Sequence, residues 1–399
     1  MKPFLLVVLL FPQQDLDPLI ERLGADEVEV RQKAVEDIVR LGLDVLPRLR
    51  DRLARATDAE VRAQLKRAIE QLERLERVAR FRPNLRQVTL KPDRRGLRDS
   101  LEAVATSASV PIQIQGELPG HVAIALDRVP FWEAIEKLRK DGRGFGYDVE
   151  GNLEDLRVIV REKRDRELPH APAGPFLLQV KNVKVTRWLF DGTEPGWTQL
   201  DMAIHQLCGG RPFELRLRIK SIADDLGMEY AGRLKDPEKL YVSTSRMLQI
   251  PAVVPEKARR LTMRGELLAT YPRDVRGLRI DEPARDLPKD VSGDEFKVRM
   301  SEVRETSKGI AIYFTLSIPG KKGSEVFDRS GNFFYVLMTK DKRRRGFNGF
   351  HTEGKEDAIT VKLTTPGLRK DDIASFEVVE LVDSEEITYP FVFDNITLE

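Results

Sequence analysis

The chain has 399 residues, 41% hydrophobic and 33% charged, a balance that fits a folded soluble protein and argues against disorder or membrane helices. That length exceeds one ordinary core and implies about two to four domains. Its 67 basic and 65 acidic side chains leave a net charge of +2, so only a local cluster can mark a polyanion partner. Cysteine occurs once, at Cys208, which excludes an intrachain disulfide and a zinc site built on several thiolates.

Lys2 precedes an unbroken apolar run over residues 4–11, closed by Pro12, Gln13, Gln14 and Asp15. The run is far shorter than the roughly 20 residues of a spanning helix and has no polar face, so residues 1–14 read as a secretory signal. Export to the periplasm or cell envelope is the expectation. No small-x-small pattern follows Phe11, and the competing reading is a buried first segment of a cytosolic protein.

Residues 15–81 carry apolar side chains at helical spacing and predict four helices. Leu16, Leu19, Ile20 and Leu23 mark the first, stopped by Gly24; Val28, Ala34, Val35, Ile38 and Leu41 the second, stopped by Gly42. Leu46, Leu49 and Leu53 start a third, and Val61, Leu65, Ile69, Leu72 and Leu75 a fourth. The pieces E-V-R-Q-K-A-V-E-D-I from Glu29 and E-V-R-A-Q-L-K-R-A-I from Glu60 repeat at a spacing that implies stacked helix pairs. The segment resembles a short HEAT-type array, expected to lean on the domain after it.

A second repeat follows. Val88 and Leu90 alternate as a strand, Leu97, Leu101 and Val104 mark a helix face, and Ile112 and Ile114 alternate again. The same order recurs in Val122, Ile124 and Leu126, then Phe131, Ile135 and Leu138, then Tyr147 and Val149, with Val158 and Val160 closing the sheet. Two strand-helix-strand halves make one α+β layer, because each helix can bury its apolar stripe only on a sheet.

The motifs V-T-L at Val88, G-L-R-D-S-L-E-A-V-A at Gly96, P-I-Q-I-Q at Pro111, V-A-I-A-L at Val122, V-P-F-W-E-A-I-E-K-L at Val129 and F-G-Y-D-V-E-G-N at Phe145 carry a resemblance. Residues 86–161 are similar to the short N-terminal domain (STN) of secretins and TonB-dependent transducers. The resemblance implies an interaction module of the periplasm with no catalytic residue to transfer. A transducer barrel needs far more strands than the tail supplies, and the later strands show neither aromatic girdles nor a continuous apolar outer face.

Beyond a proline-rich connector at residues 168–175, alternation dominates. Phe176, Leu178 and Val180 alternate, then Leu215, Leu217 and Ile219 against Arg216, Arg218 and Lys220. After a second connector at residues 281–293 come Phe296, Val298 and Met300, then Ile310, Ile312, Phe314, Leu316 and Ile318, then Ile359, Val361 and Leu363. Residues 197–208 read as a short helix between strands. The expected fold is multidomain α+β: a signal (1–14), HEAT-like helices (15–81), an STN-like domain (86–165), and all-β sandwich domains at 175–281 and 293–399.

Asp201, His205 and Cys208 stand at helical i, i+4, i+7 spacing and could share a face as metal ligands or a thiol-imidazole pair. A small residue at a helix end and an edge histidine explain them more simply, and no metal, cofactor or catalytic residue is expected. His121, His170 and His351 are scattered over a strand, the linker and a loop and supply no second ligand pair.

Two features point to partners instead. In V-P-F-W, adjacent helical positions cannot face the same sheet; Phe131 matches Leu97 in the repeat, which leaves Trp132 partly exposed as an aromatic anchor. The cluster Lys340, Lys342, Arg343, Arg344 and Arg345, with Phe347 and Phe350 beyond it, suits an anionic polysaccharide or membrane surface, or a solvated turn; nucleic acid is disfavoured by export. These readings converge on a non-enzymatic envelope scaffold with another envelope protein as partner. The alternatives are an exported hydrolase or carbohydrate-active enzyme with its site in the β region, and a cytosolic helical-repeat scaffold.

Overall fold

A computed structural model describes residues 16–398 except 84, 143–144, 151–155, 163–167, 187–196, 208–209, 211, 231–237, 241–245, 251–253, 256, 294, 342, 346, 348 and 355–356. The protein is mixed α+β, with about 51% strand against 29% helix. The apolar run at residues 4–11 and Cys208 lie outside the described residues.

Four helices open the chain: α1 (Leu16–Arg22), α2 (Val28–Arg40), α3 (Leu46–Arg55) and α4 (Ala59–Phe81). Gly42, at φ +85°, takes the left-handed turn after α2, and Asp58 caps α4 by accepting the Val61 N–H at 2.9 Å. The facing apolar stripes, including Leu23, Ile38, Leu49, Leu65 and Leu72, form one buried cluster.

Next come β1 (Gln87–Gly96), α5 (Leu97–Ala108), β2 (Ile112–Gln115), β3 (His121–Pro130), α6 (Phe131–Gly142), β4 (Phe145–Glu150) and β5 (Arg157–Glu162). β1 pairs antiparallel with β3, while β5 lies between β2, to which it is parallel, and β4, to which it is antiparallel. Both helices turn their apolar faces into one core with Val88, Val122, Tyr147 and Val158.

A run of strands follows: β6 (His170–Ala173), β7 (Phe176–Thr186), β8 (Trp197–Gln206), β9 (Glu214–Asp224), β10 (Glu238–Leu240), β11 (Arg246–Ile250) and the long β12 (Arg260–Asp281). Two departures from the sequence expectation stand out. Residues 197–206 form a strand, because Leu200, Met202 and Ile204 point into the core at period two and β7 and β11 pair on either side. The connector at residues 168–175 holds β6, an edge strand in which Pro172 needs no outer partner.

The remainder comprises β13 (Lys289–Ser292), β14 (Lys297–Thr306), β15 (Gly309–Ser317), α7 (Gly323–Arg329), β16 (Phe333–Thr339), β17 (Arg344–Arg345), β18 (Gly349–Gly354), β19 (Ala358–Pro366) and β20 (Ile373–Thr397). The second connector is likewise partly strand, at β13. The helix α7 was unforeseen; the Glu325 carboxylate accepts the Lys322 N–H at 3.0 Å and caps it between two turns.

The chain divides into two compact units, neither a single stretch of sequence. The first holds residues 1–79, 274–339 and 344–382. In it β20 lies between β12 and β16, the sheet β13-β14-β15-β19-β18 supplies a second layer, and Ile312, Phe314, Val361 and Phe376 fill the core. α4 joins these strands through Arg77, whose Nε lies 2.8 Å from Glu377 Oε1, and through the Arg74–Asp274 ion pair. The helices therefore meet strands 200 and 300 residues away in sequence.

The second unit holds residues 80–273, 340–343 and 383–399. Its sheet β11-β8-β7-β6 packs on β9, β12 and the end of β20 around Phe176, Met202, Tyr271, Phe391 and Phe393. The α+β module adjoins this sandwich through Leu177 and Leu207, which belong to the module's core.

Candidate binding cleft

A cleft of about 800 Å³ opens in the second unit. One wall is a face of α6, with Glu133, Glu136, Lys137, Lys140 and Asp141 at helical spacing. A second wall comes from Leu168, Pro169, His170 and Pro172 on and before β6, and the third side is residues 390–395 and Thr397 of β20.

Six consecutive residues of β20 touch the cleft, whereas one face of a strand would contribute only alternate ones. The cleft therefore runs along the strand's edge. Phe391 and Phe393 send their rings into the sandwich core, while Val392 is 42% exposed and Leu168 37% exposed.

Beneath the wall lies a chain of buried polar contacts. Glu136 accepts from Arg139 Nη2 at 2.8 Å, Arg139 Nε at 3.0 Å and the Tyr147 hydroxyl at 2.7 Å. The Tyr147 ring stacks on His170, and Gln179 Nε2 donates to His170 Nε2 at 2.8 Å. The Oε1 of the same amide lies 3.4 Å from His205 Nε2. Burial, with the Arg139 charge as a lesser cause, lowers the His170 pKa to about 3, so the ring is neutral and presents Nε2 as an acceptor. Glu133 on the rim is raised above the usual carboxylate range by burial.

The structure moves or separates the residues singled out from sequence. Trp132 is fully buried, not half-exposed: its ring lies edge-on to Phe131 at 5.0 Å, stacks toward Tyr147 and donates Nε1–H to Pro175 O at 3.3 Å. The one-sheet assumption fails because α6 is covered on two sides, by its own module and by the β6–β7 turn. Asp201 and His205 sit on strand β8, where Asp201 accepts from Gln199 Nε2 at 3.1 Å and His205 turns to Gln179. They do not converge. His170 lies on β6 and His351 on β18, not in loops.

The basic cluster is divided. Lys340 and Arg343 are exposed, with Arg343 Nε 3.1 Å from Asp341 Oδ2; Arg344 and Arg345 pair with Met338 and Leu337 as β17; Lys342 lies outside the described residues. Phe347 turns to Phe376 in the core, 6.3 Å between centroids, so it forms no gripping surface with the arginines. Sequence reasoning missed the cleft, whose walls come from three separated segments. The exposed Val392 within I-T-Y-P-F-V-F was its one local signal.

Comparison with known proteins finds no matching family model, no matching curated protein and no matching solved structure. Among the described residues no helix is long and apolar enough to cross a membrane.

Proposed function

We propose that this chain is a non-enzymatic binding or scaffold protein of the bacterial cell envelope, docking another envelope protein at the cleft between α6, β6 and β20. The observation that carries the reading is the state of the polar groups there. Glu136 is held by Arg139 and Tyr147, and His170 is neutral, stacked and bonded to Gln179. Groups locked in this way shape a surface and are poorly placed to exchange protons with a substrate. The apolar exposure of Val392 and Leu168 beside them suits a partner's side chain.

In this reading residues 15–81 are a HEAT-like array, residues 86–165 an STN-like module, and the rest β-sandwich domains; residues 1–14 direct export. The hydrolase alternative draws on one observation, the raised carboxyl of Glu133 in the same cleft as Glu136. The ion pair to Arg139 counts against Glu136 as the second catalytic acid.

The test is photo-crosslinking in the native host, with a photoreactive residue at position 392 or 168 and a control at Val28, 65% exposed in the first unit. A discrete envelope protein captured from the cleft positions, and lost on a Val392→Asp background at position 168, is the expected result. Cleft positions that capture nothing, or full-length chain recovered from the cytosol, would overturn the reading.

A further inference from the structure

We infer that the cleft takes an extended segment of a partner protein, which adds as a strand to the open edge of β20 over residues 390–397. This rests on the docking reading above and gives it a mode and a ligand class.

Three observations lead there. β16 pairs with β20 only from Ile373 to Glu380, and among the described residues no strand register continues on that side beyond Glu380. On the other side β20 adjoins β12: Thr262 Oγ1 donates to Asp394 O, and Leu398 N–H donates to Arg259 O. Phe391, Phe393, Ile396 and Leu398 are buried while Val392, Asp394, Asn395 and Thr397 are exposed, so the alternation slips by one residue at Asp394–Asn395. Backbone groups of alternate residues on either side of that slip turn away from β12 to the open side. The cleft lies along that stretch, since consecutive residues of both faces line it.

Size and charge define the occupant. A strand residue in a sheet takes up about 3.3 × 4.8 × 10 Å, or about 160 Å³, so the cleft holds about five residues of extended chain. The rim sets Lys137 and Lys140 against Glu133, Asp141 and Asp394, with Arg139 already taken by Glu136. An anionic polysaccharide or phosphate would meet no excess of positive charge. A segment alternating apolar and small polar residues fits, its apolar side chains meeting Val392 and Leu168.

The experiment uses the full chain and synthetic seven-residue peptides alternating Val with Ser or Thr, read by fluorescence anisotropy and hydrogen exchange. Binding is expected, with slowed exchange at amides within residues 391–397. N-methylation of peptide amides of one parity should weaken binding at least tenfold, and of the other parity little. Val392→Asp should do the same at an unchanged melting temperature, with Leu168→Asp as the second variant if the first unfolds. No peptide binding, or protection elsewhere in the chain, overturns the inference. Binding that ignores methylation parity yet is lost in Val392→Asp overturns strand addition while leaving the cleft as a docking site; failure of the docking reading shows separately, as absent cleft crosslinks in the host.

Discussion

The rings of Tyr147 and His170 lie face to face, 4.4 Å apart and 12° from parallel, and join the α+β module to the edge strand β6. Each ring is also fixed from its far side, Tyr147 by Glu136 and His170 by Gln179. The cleft inherits its shape from this junction.

The junction makes the protein sensitive to acid. Burial, then Arg139 and His205, depress the folded-state pKa of His170 to about 3, with Asp148 opposing, against about 6.5 in an unfolded chain. The folded state thus binds fewer protons between those values. Its stability is complete above about pH 6.5 and falls as the pH drops toward 3. Protonation would also set a ring N–H against the donating Gln179 amide. Urea unfolding at pH 7 and pH 4.5 should show a loss of stability in the wild type that is smaller in His170→Gln; equal losses would show that His170 is not responsible.

Trp132 supports the same junction from below. Trp132→Ala should destabilise the protein by about 3–5 kcal/mol, the cost of emptying a buried aromatic site. Trp132→Phe should cost less, chiefly the hydrogen bond to Pro175 O, about 1 kcal/mol. Thermal melts decide this, and a wild-type melting temperature for Trp132→Ala would contradict the burial.

Gly174 makes the turn between β6 and β7 at φ +59°, and a Cβ there would run into the Tyr389 ring. Gly174→Ala should therefore cost about 1–3 kcal/mol through left-handed strain and the clash together. The same substitution at Gly42, where φ is +85° but no atom is close, should cost less. Denaturant midpoints of the two variants test the order.

In the first unit, Glu377 has a 5% exposed side chain and meets Arg77. Arg77→Ala should destabilise by about 2–3 kcal/mol, because the carboxylate loses a charged hydrogen-bond partner in a buried place. Glu377→Gln removes the charge with the shape kept and should cost less. Chemical unfolding monitored by circular dichroism would separate them.

Local pattern in the sequence was a reliable guide wherever one face of an element met one core. Most of the apolar stripes of α1 to α6 and the alternation of Ile310, Ile312, Phe314 and Leu316 are buried as expected, while Val28 and Leu75, assigned to the stripes of α2 and α4, are 65% and 48% exposed. At residues 197–206, Ala, Met, Leu and Gln favour helix, but the period-two run Leu200, Met202, Ile204 was also present. Pairing on both sides made the strand.

Side-chain pattern along the chain was enough for the α+β mix, the helices of residues 16–81 and the strand-helix-strand order of residues 87–162. Packing between distant segments decided that Trp132 is enclosed, that His170 is a neutral acceptor, and that, among the described residues, no strand pairs with β20 beyond Glu380 on its β16 side. The reason is physical distance along the chain. The cleft assembles residues 133–141, 168–172 and 390–397, and neither burial nor a free strand edge exists until those segments have packed.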